Sequence, residues 1–147
     1  MPDDSALTAQ ELRVAVGRVA RRLRRISAER DTAAAVKFTE VTVLLRLARE
    51  GPQSPSDLAK HEQVTSQAIA AIVRELQARN LVSRDAHSTD GRRALVSITA
   101  KGRAALWSDD QAALRTLAET LDDYYTRAEL RRLGAMIPLL NRLADLI

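Results

Sequence analysis

Residues 65–79 read TSQAIAAIVRELQAR. Ile69, Ile72, Val73 and Leu76 recur at i, i+3, i+4 and i+7, the spacing of one face of an α-helix. Gln67, Ala71 and Arg74 fall on the opposite face, with Ala70 beside them. Thr65, followed by Ser66, stands where a hydroxyl accepts from an unpaired N–H of the first turn. Val64, just before it, is placed to pack on Ile69 as a hydrophobic staple. The result is a helix with an anchored back and a front of small and polar side chains plus one arginine. Such a front suits the floor of a DNA major groove. Small residues admit the backbone, glutamine pairs with adenine and arginine with guanine. Taken alone, the same pattern also describes an ordinary amphipathic helix with a solvated face, so the flanks decide.

Upstream, Thr39 is read as the cap of a helix whose apolar side is Val41, Leu44, Leu45 and Ala48, stopped by Gly51-Pro52. Ser54-Pro55-Ser56-Asp57 is a helix start, with serine at the N-cap, proline at N1 and an acid facing the helix dipole. This short helix runs to about Glu62, and a tight turn at Gln63-Val64 leads into the central helix. Two short helices, a turn and an amphipathic helix make a helix-turn-helix. Downstream, Asn80 is placed to end the helix in a left-handed conformation. The period then changes. Leu81–Asp85 and Ala94–Ile98 read as strands, separated by HSTDGRR at 87–93, whose Asp-Gly makes a turn and whose arginines make the tip basic. A basic hairpin directly after such a helix is a wing. His61 is expected near solvent at the end of the third helix, and His87 exposed at the base of the wing.

Farther out, residues 1–6 are polar and expected to fray, and the pattern from Leu7 to about Asp31 is helical. Leu12, Val16, Val19, Leu23 and Ile26 form a narrow apolar seam that calls for a partner helix. Arg18, Arg21, Arg22 and Arg25 line another face, as a solvated stripe or as an anchor for an anionic ligand. Thr99 is read as the cap of one long helix, beginning AKGRAALW and ending near Asp122-Asp123-Tyr124. Trp107 on it is read as core or a dimer contact. From Arg127, Leu130, Leu133, Ile137, Leu140, Ala144 and Ile147 repeat at a/d spacing. Pro138 interrupts the run and is expected to kink the helix without breaking it, since residue 134 is glycine and relieves the crowding. The fold class is mainly α: a winged helix-turn-helix at 36–99 with a two-stranded β wing. It is flanked by N-terminal (1–35) and C-terminal (100–147) dimerisation helices within a single integrated domain.

Composition bounds the function. The 147 residues suffice for one domain with a core. Aromatics are only 3%, so the core must be aliphatic, which favours helices. Net charge is +4 and pI about 10.1, which permits a nucleic acid partner. Residues 1–53 and 54–103 each carry a net +3, and residues 104–147 a net −2, so the last third is unsuited to phosphates. With no cysteine, disulfides, thiolate zinc sites and thiol-based sensing are excluded. Two histidines are too few for a His-rich metal site, and no metal or other cofactor is expected. No apolar run approaches a membrane span, and MPDDSALTAQ has no signal-peptide pattern. A cytoplasmic protein without a membrane partner is expected.

The run Leu81-Val82-x-Arg84, then Asp90-Gly91-Arg92-Arg93, then Val96-Ser97-Ile98-Thr99-x-Lys101-Gly102 resembles the hairpin signature of the MarR family of bacterial transcription regulators. That signature is an Asp-x-Arg followed by a strand and Leu-Thr-x-x-Gly; here Ile98 replaces the usual leucine. The likeness covers nearly the whole chain, including the order of helices. It implies a homodimeric winged helix-turn-helix repressor that binds double-stranded DNA at a pseudo-palindromic operator. Its first and last helices would form the dimer, and a small phenolic or lipophilic effector would release it. By the same resemblance Arg92 enters the minor groove, while Arg93 meets a phosphate or Asp90. Ala70-Ala71 stands where the family usually has Thr-Arg, so no base contact is carried over to those two positions.

The residues expected at DNA are Thr39, Ser54, Ser56, Lys60, Thr65, Ser66, Gln67, Ala70, Arg74, Arg84, Asp90, Arg92 and Arg93. An effector is expected in a cleft between the wing domain and the dimer helices, with Arg18, Arg21, Arg22 and Arg25 as the anion anchor. The alternative is a winged-helix protein-interaction module that never touches DNA, since fold alone does not decide function. A basic wing tip sharing a surface with Gln67 and Arg74 argues against it. An enzyme is not expected. The sequence holds no nucleophile–base arrangement, metal cluster or Gly-rich phosphate loop.

Overall fold

In the computed structural model, residues 3–30, 32–86, 94–108 and 111–147 are described. Among these residues seven helices and two strands follow in the order α1 (Asp4–Arg30), α2 (Phe38–Glu50), α3 (Pro55–His61), α4 (Ser66–Ala78), β1 (Val82–Ala86), β2 (Ala94–Ile98), α5 (Ala100–Ala105), α6 (Ala112–Tyr124) and α7 (Arg127–Leu146). They form two compact units. One holds residues 1–34 and 109–135, the other 35–108 and 136–147.

The second unit is the winged helix-turn-helix. Its core is aliphatic, as the composition requires. Val43, Leu44 and Leu47 of α2, Leu58 of α3, and Ile69, Val73 and Leu76 of α4 are buried together with Leu81, Val82 and Val96. The strands pair antiparallel in a register that sets Val82 opposite Ile98 and Arg84 opposite Val96. Val96 is also bonded to Gln53 in both directions, N–H to O at 2.8 and 3.1 Å. The loop between α2 and α3 therefore lends β2 a second, one-residue partner that no periodicity announces.

The other unit packs α1 against α6. No residue of α1 is buried; Val16 and Val19 of the seam are about half exposed. Helix α7 carries Pro138 within it and continues to Leu146, as expected. Among the described residues, no helix is long and apolar enough to cross a membrane.

Several local readings are corrected. Helix α1 begins at Asp4, three residues before Leu7, because the Asp3 carbonyl accepts from Ala6 and Leu7 N–H and closes the first turn. Thr39 does not cap α2. Lys37 is the N-cap residue, and the helix end is satisfied by Glu40, whose carboxylate accepts from the Lys37 N–H at 2.8 Å. The first strand lies one residue later than read, because Leu81 N–H still bonds back to the Leu76 carbonyl at 2.9 Å. The single long helix after Thr99 is two: α5 ends at Ala105, and α6 starts anew at Ala112. Trp107 lies just past α5 and is 69% exposed in this chain, so it is not core.

Candidate nucleic-acid interface

The start of α3 is fixed by Ser54. Its hydroxyl accepts from Asp57 N–H at 3.2 Å and donates to the Asp57 carboxylate at 2.7 Å. Pro55 follows at N1, where a missing N–H costs nothing. The turn after α3 needs one left-handed residue, and Gln63 supplies it with φ 51°. Val64 N–H bonds the Ala59 carbonyl at 3.1 Å, and Thr65 then opens α4, its hydroxyl accepting from Ala68 N–H at 3.1 Å. At the far end Arg79 is the C-cap and Asn80 is left-handed with φ 57°, as its residue type foretells.

With Ile69, Val73 and Leu76 fully seated, the opposite face of α4 has one direction left. Ser66, Gln67, Ala70, Ala71 and Arg74 are all exposed. Thr39, Ser56, Lys60, Thr65 and Arg84 are exposed as well. Ser54 differs: it is 5% exposed, and its hydroxyl is committed to Asp57. Asp90, Arg92 and Arg93 at the wing tip, and His87 at its base, lie outside the described residues. His61 is exposed at the end of α3.

The turn carries an acid, Glu62, that would repel DNA if left bare. Arg46 of α2 holds it, Nε to Oε1 at 2.9 Å, and also holds Glu50 through Nη1 at 2.9 Å. Burial works against the Arg46 charge. The hydrogen bond to Glu62 and the charges of Glu50, Glu62 and Asp145 outweigh it and raise its pKa. The turn is further tied to α7, where Gln63 Nε2 donates to the Ala144 carbonyl at 3.2 Å. Beside it lies an open groove of about 450 Å³, with Phe38, Leu45, Arg49 and Asn141 among its walls. Arg18, Arg21, Arg22 and Arg25 are all exposed on α1, and Arg25 pairs with Glu29 at 3.4 Å.

Sequence reasoning missed the Arg46–Glu62 pair, sixteen residues apart, and the buried Glu40. Neither has a local signature. A glutamate in the first turn of a helix reads as an exposed dipole partner, and only the packing of α4 shows that it is covered. Among the described residues, no cluster of potential metal ligands is present.

The model of the MarR family matches residues 37–94. An uncharacterised HTH-type transcriptional regulator of Mycobacterium leprae is 32% identical over 121 residues, 82% of each chain. Among solved structures, the transcriptional regulator BldR of Sulfolobus solfataricus is 29% identical, with a TM-score of 0.65 over 97% of this chain and 99% of that one. BpsR of Bordetella bronchiseptica is 22% identical, with a TM-score of 0.62 over 92% and 99%, a likeness of fold.

Proposed function

The chain belongs to the MarR family of transcription regulators, and from that premise we propose that it is a homodimeric repressor of a pseudo-palindromic operator, released by a small molecule. One observation carries the DNA reading: α4 buries Ile69, Val73 and Leu76 on one face and leaves Gln67, Ala70, Ala71 and Arg74 together on the other. Gln67 and Arg74 are the base readers, matched to adenine and guanine edges. Ala70 and Ala71 let the helix axis approach the groove floor. Thr39, Ser56, Lys60, Thr65, Ser66 and Arg84 meet phosphates, which fix register without reading sequence. Ser54 serves the helix start. Arg92 enters the adjacent minor groove, whose narrow A·T-rich stretches attract arginine, and Asp90 and Arg93 shape the tip around it.

The family resemblance and the BpsR structure, solved for regulation of DNA binding by 6-hydroxynicotinic acid, support effector control. The arginines of the wing and the exposed pair Gln67 and Arg74 on α4 are what a module confined to protein partners would not need.

Fluorescence anisotropy on a duplex selected from a random pool tests the reading. Roughly 6–10 phosphate contacts per dimer give a slope of log K against log salt of about −5 to −9. A slope near zero would favour the protein-interaction module.

A further inference from the structure

Among the described residues, Glu40 is the only ionisable side chain in the buried set, at 2% exposure. Its Oε2 accepts from two donors: the Lys37 N–H at 2.8 Å, and Arg79 Nη1 at 3.3 Å. The first bond closes the N-terminus of α2. That task alone does not call for burial, since a glutamate or glutamine at this helix position caps equally well in solvent. A carboxylate taken out of water needs a cation beside it, and the cation here belongs to the last residue of the α4 segment. Arg79 is the C-cap of α4, directly before left-handed Asn80.

The consequence lies in what fixes a recognition helix. Ile69, Val73 and Leu76 hold α4 by apolar packing, whose driving force is non-directional. Hydrogen bonds are directional. At the C-terminal end of α4 two ties meet: Arg79 to Glu40, and the Asn80 carbonyl to the Thr99 hydroxyl at 2.7 Å. A helix rises about 1.5 Å per residue, so Arg74 lies about 12 Å from Ser66. A tilt of about 10° about the N-terminal end moves it by about 2 Å, enough to lose a base contact.

Resting on the DNA-binding reading above, we propose that Glu40 is a positioning residue for operator recognition: through Arg79 it sets the angle at which α4 presents Gln67 and Arg74. It touches no DNA. It governs discrimination between sequences and leaves phosphate-driven binding alone, because its carboxylate bonds the Lys37 N–H and Arg79 and not the side chain of its phosphate-facing neighbour Thr39.

The test compares the parent with Glu40→Gln, Arg79→Gln and the double variant in the full chain. Glu40→Gln keeps the side-chain length and an acceptor for the Lys37 N–H, and removes the charge. The probes are a duplex selected by the parent from a random pool and a scrambled duplex of equal length. Affinities are read by anisotropy at one salt concentration, below the melting transition of every variant. Each single variant should lower the selected-to-scrambled ratio by about tenfold, the cost of one misread base pair, with scrambled binding within about twofold of the parent. The double variant should match the singles, since the two residues act as one unit. An unchanged ratio beside a lowered melting temperature would make the pair structural only and overturn the proposal. Arg79 is more exposed than Glu40, with 29% against 3% of its side chain accessible, so Arg79→Gln carries the test if Glu40→Gln does not fold. A parent that selects no sequence would overturn the DNA reading and this inference together. A selective parent with indifferent variants would overturn this inference alone.

Discussion

Thr99 closes two backbone ends at once. Its hydroxyl donates to the Asn80 carbonyl at 2.7 Å and accepts from Gly102 N–H at 3.0 Å, while its own N–H bonds the Leu81 carbonyl at 3.1 Å. One residue thus joins the exit of α4, the entry of β1 and the start of α5. Thr99→Val keeps the shape and removes the hydroxyl, and should cost about 1–3 kcal/mol in a urea melt. Gly102 lies against the same junction, where an added Cβ would collide with the Leu81 carbonyl and the Ile98 side chain. Gly102→Ala should therefore destabilise the fold by about 3 kcal/mol, read in the same melt. Arg74→Ala is the contrast. The side chain is exposed, so the melt should hardly move, while preference for the operator relaxes by about 1–3 kcal/mol. The capping roles of Ser54, Thr65 and Thr99 and the left-handed Asn80 were legible because each depends on chemistry within three residues. Thr39 was misread because a threonine is the better cap by type. The end it was assigned is instead satisfied by Glu40, whose ion-pair partner Arg79 lies 39 residues away.

At the scale of elements, α4 was readable end to end because one face of it is core and both ends are capped locally. The stretch after Thr99 was not. Leu106, Leu114, Leu117 and Leu121 read as the apolar face of one helix, but α5 and α6 are separate helices, and the stretch between them carries no glycine or proline to announce the break. Helix α7 shows the converse, since Pro138 sits inside it without ending it. Its start is held by a reciprocal pair. Thr126 N–H and hydroxyl donate to the Glu129 carboxylate at 2.8 and 2.7 Å, and Glu129 N–H donates back to the hydroxyl at 3.3 Å. The backbone bond first, then the hydroxyl, hold the Glu129 carboxyl below the usual carboxylate range. A carboxylate with a depressed pKa contributes stability above its unfolded value and loses it as pH falls through the folded one. Thr126→Ala should thus fray α7 at neutral pH, read as faster amide exchange in its first turn. Its difference from the parent should shrink as pH drops through and below the ordinary carboxylate range.

The whole molecule leaves apolar surface uncovered. Val14, Val16 and Val19 on α1 are each at least 40% exposed in the single chain, and so are Leu133, Ile137, Leu139 and Leu143 on α7. On the last helix the a/d repeat announced Leu133 and Ile137, a second apolar stripe of Met136, Leu139, Leu143 and Leu146 adds to it, and the acidic balance of residues 104–147 set this stretch apart from the basic residues before it. What the sequence could not give was the tertiary network behind the interface: Arg46 with Glu62, Gln63 with Ala144, and Gln53 with Val96. These join positions far apart in the chain and follow no period. Leu139→Glu, at a position 62% exposed, should leave the helices intact by circular dichroism and shift sedimentation from dimer toward monomer. A dimer that reads DNA with two copies of α4 imposes a spacing, with half-sites centred about one helical turn, roughly 10 bp, apart. The direct measurement is anisotropy at fixed salt on two duplexes with identical half-sites, one at the selected spacing and one with half a helical turn inserted. The insertion should remove the preference over scrambled DNA, a loss of about a thousandfold or more. Equal binding to the two duplexes would contradict it.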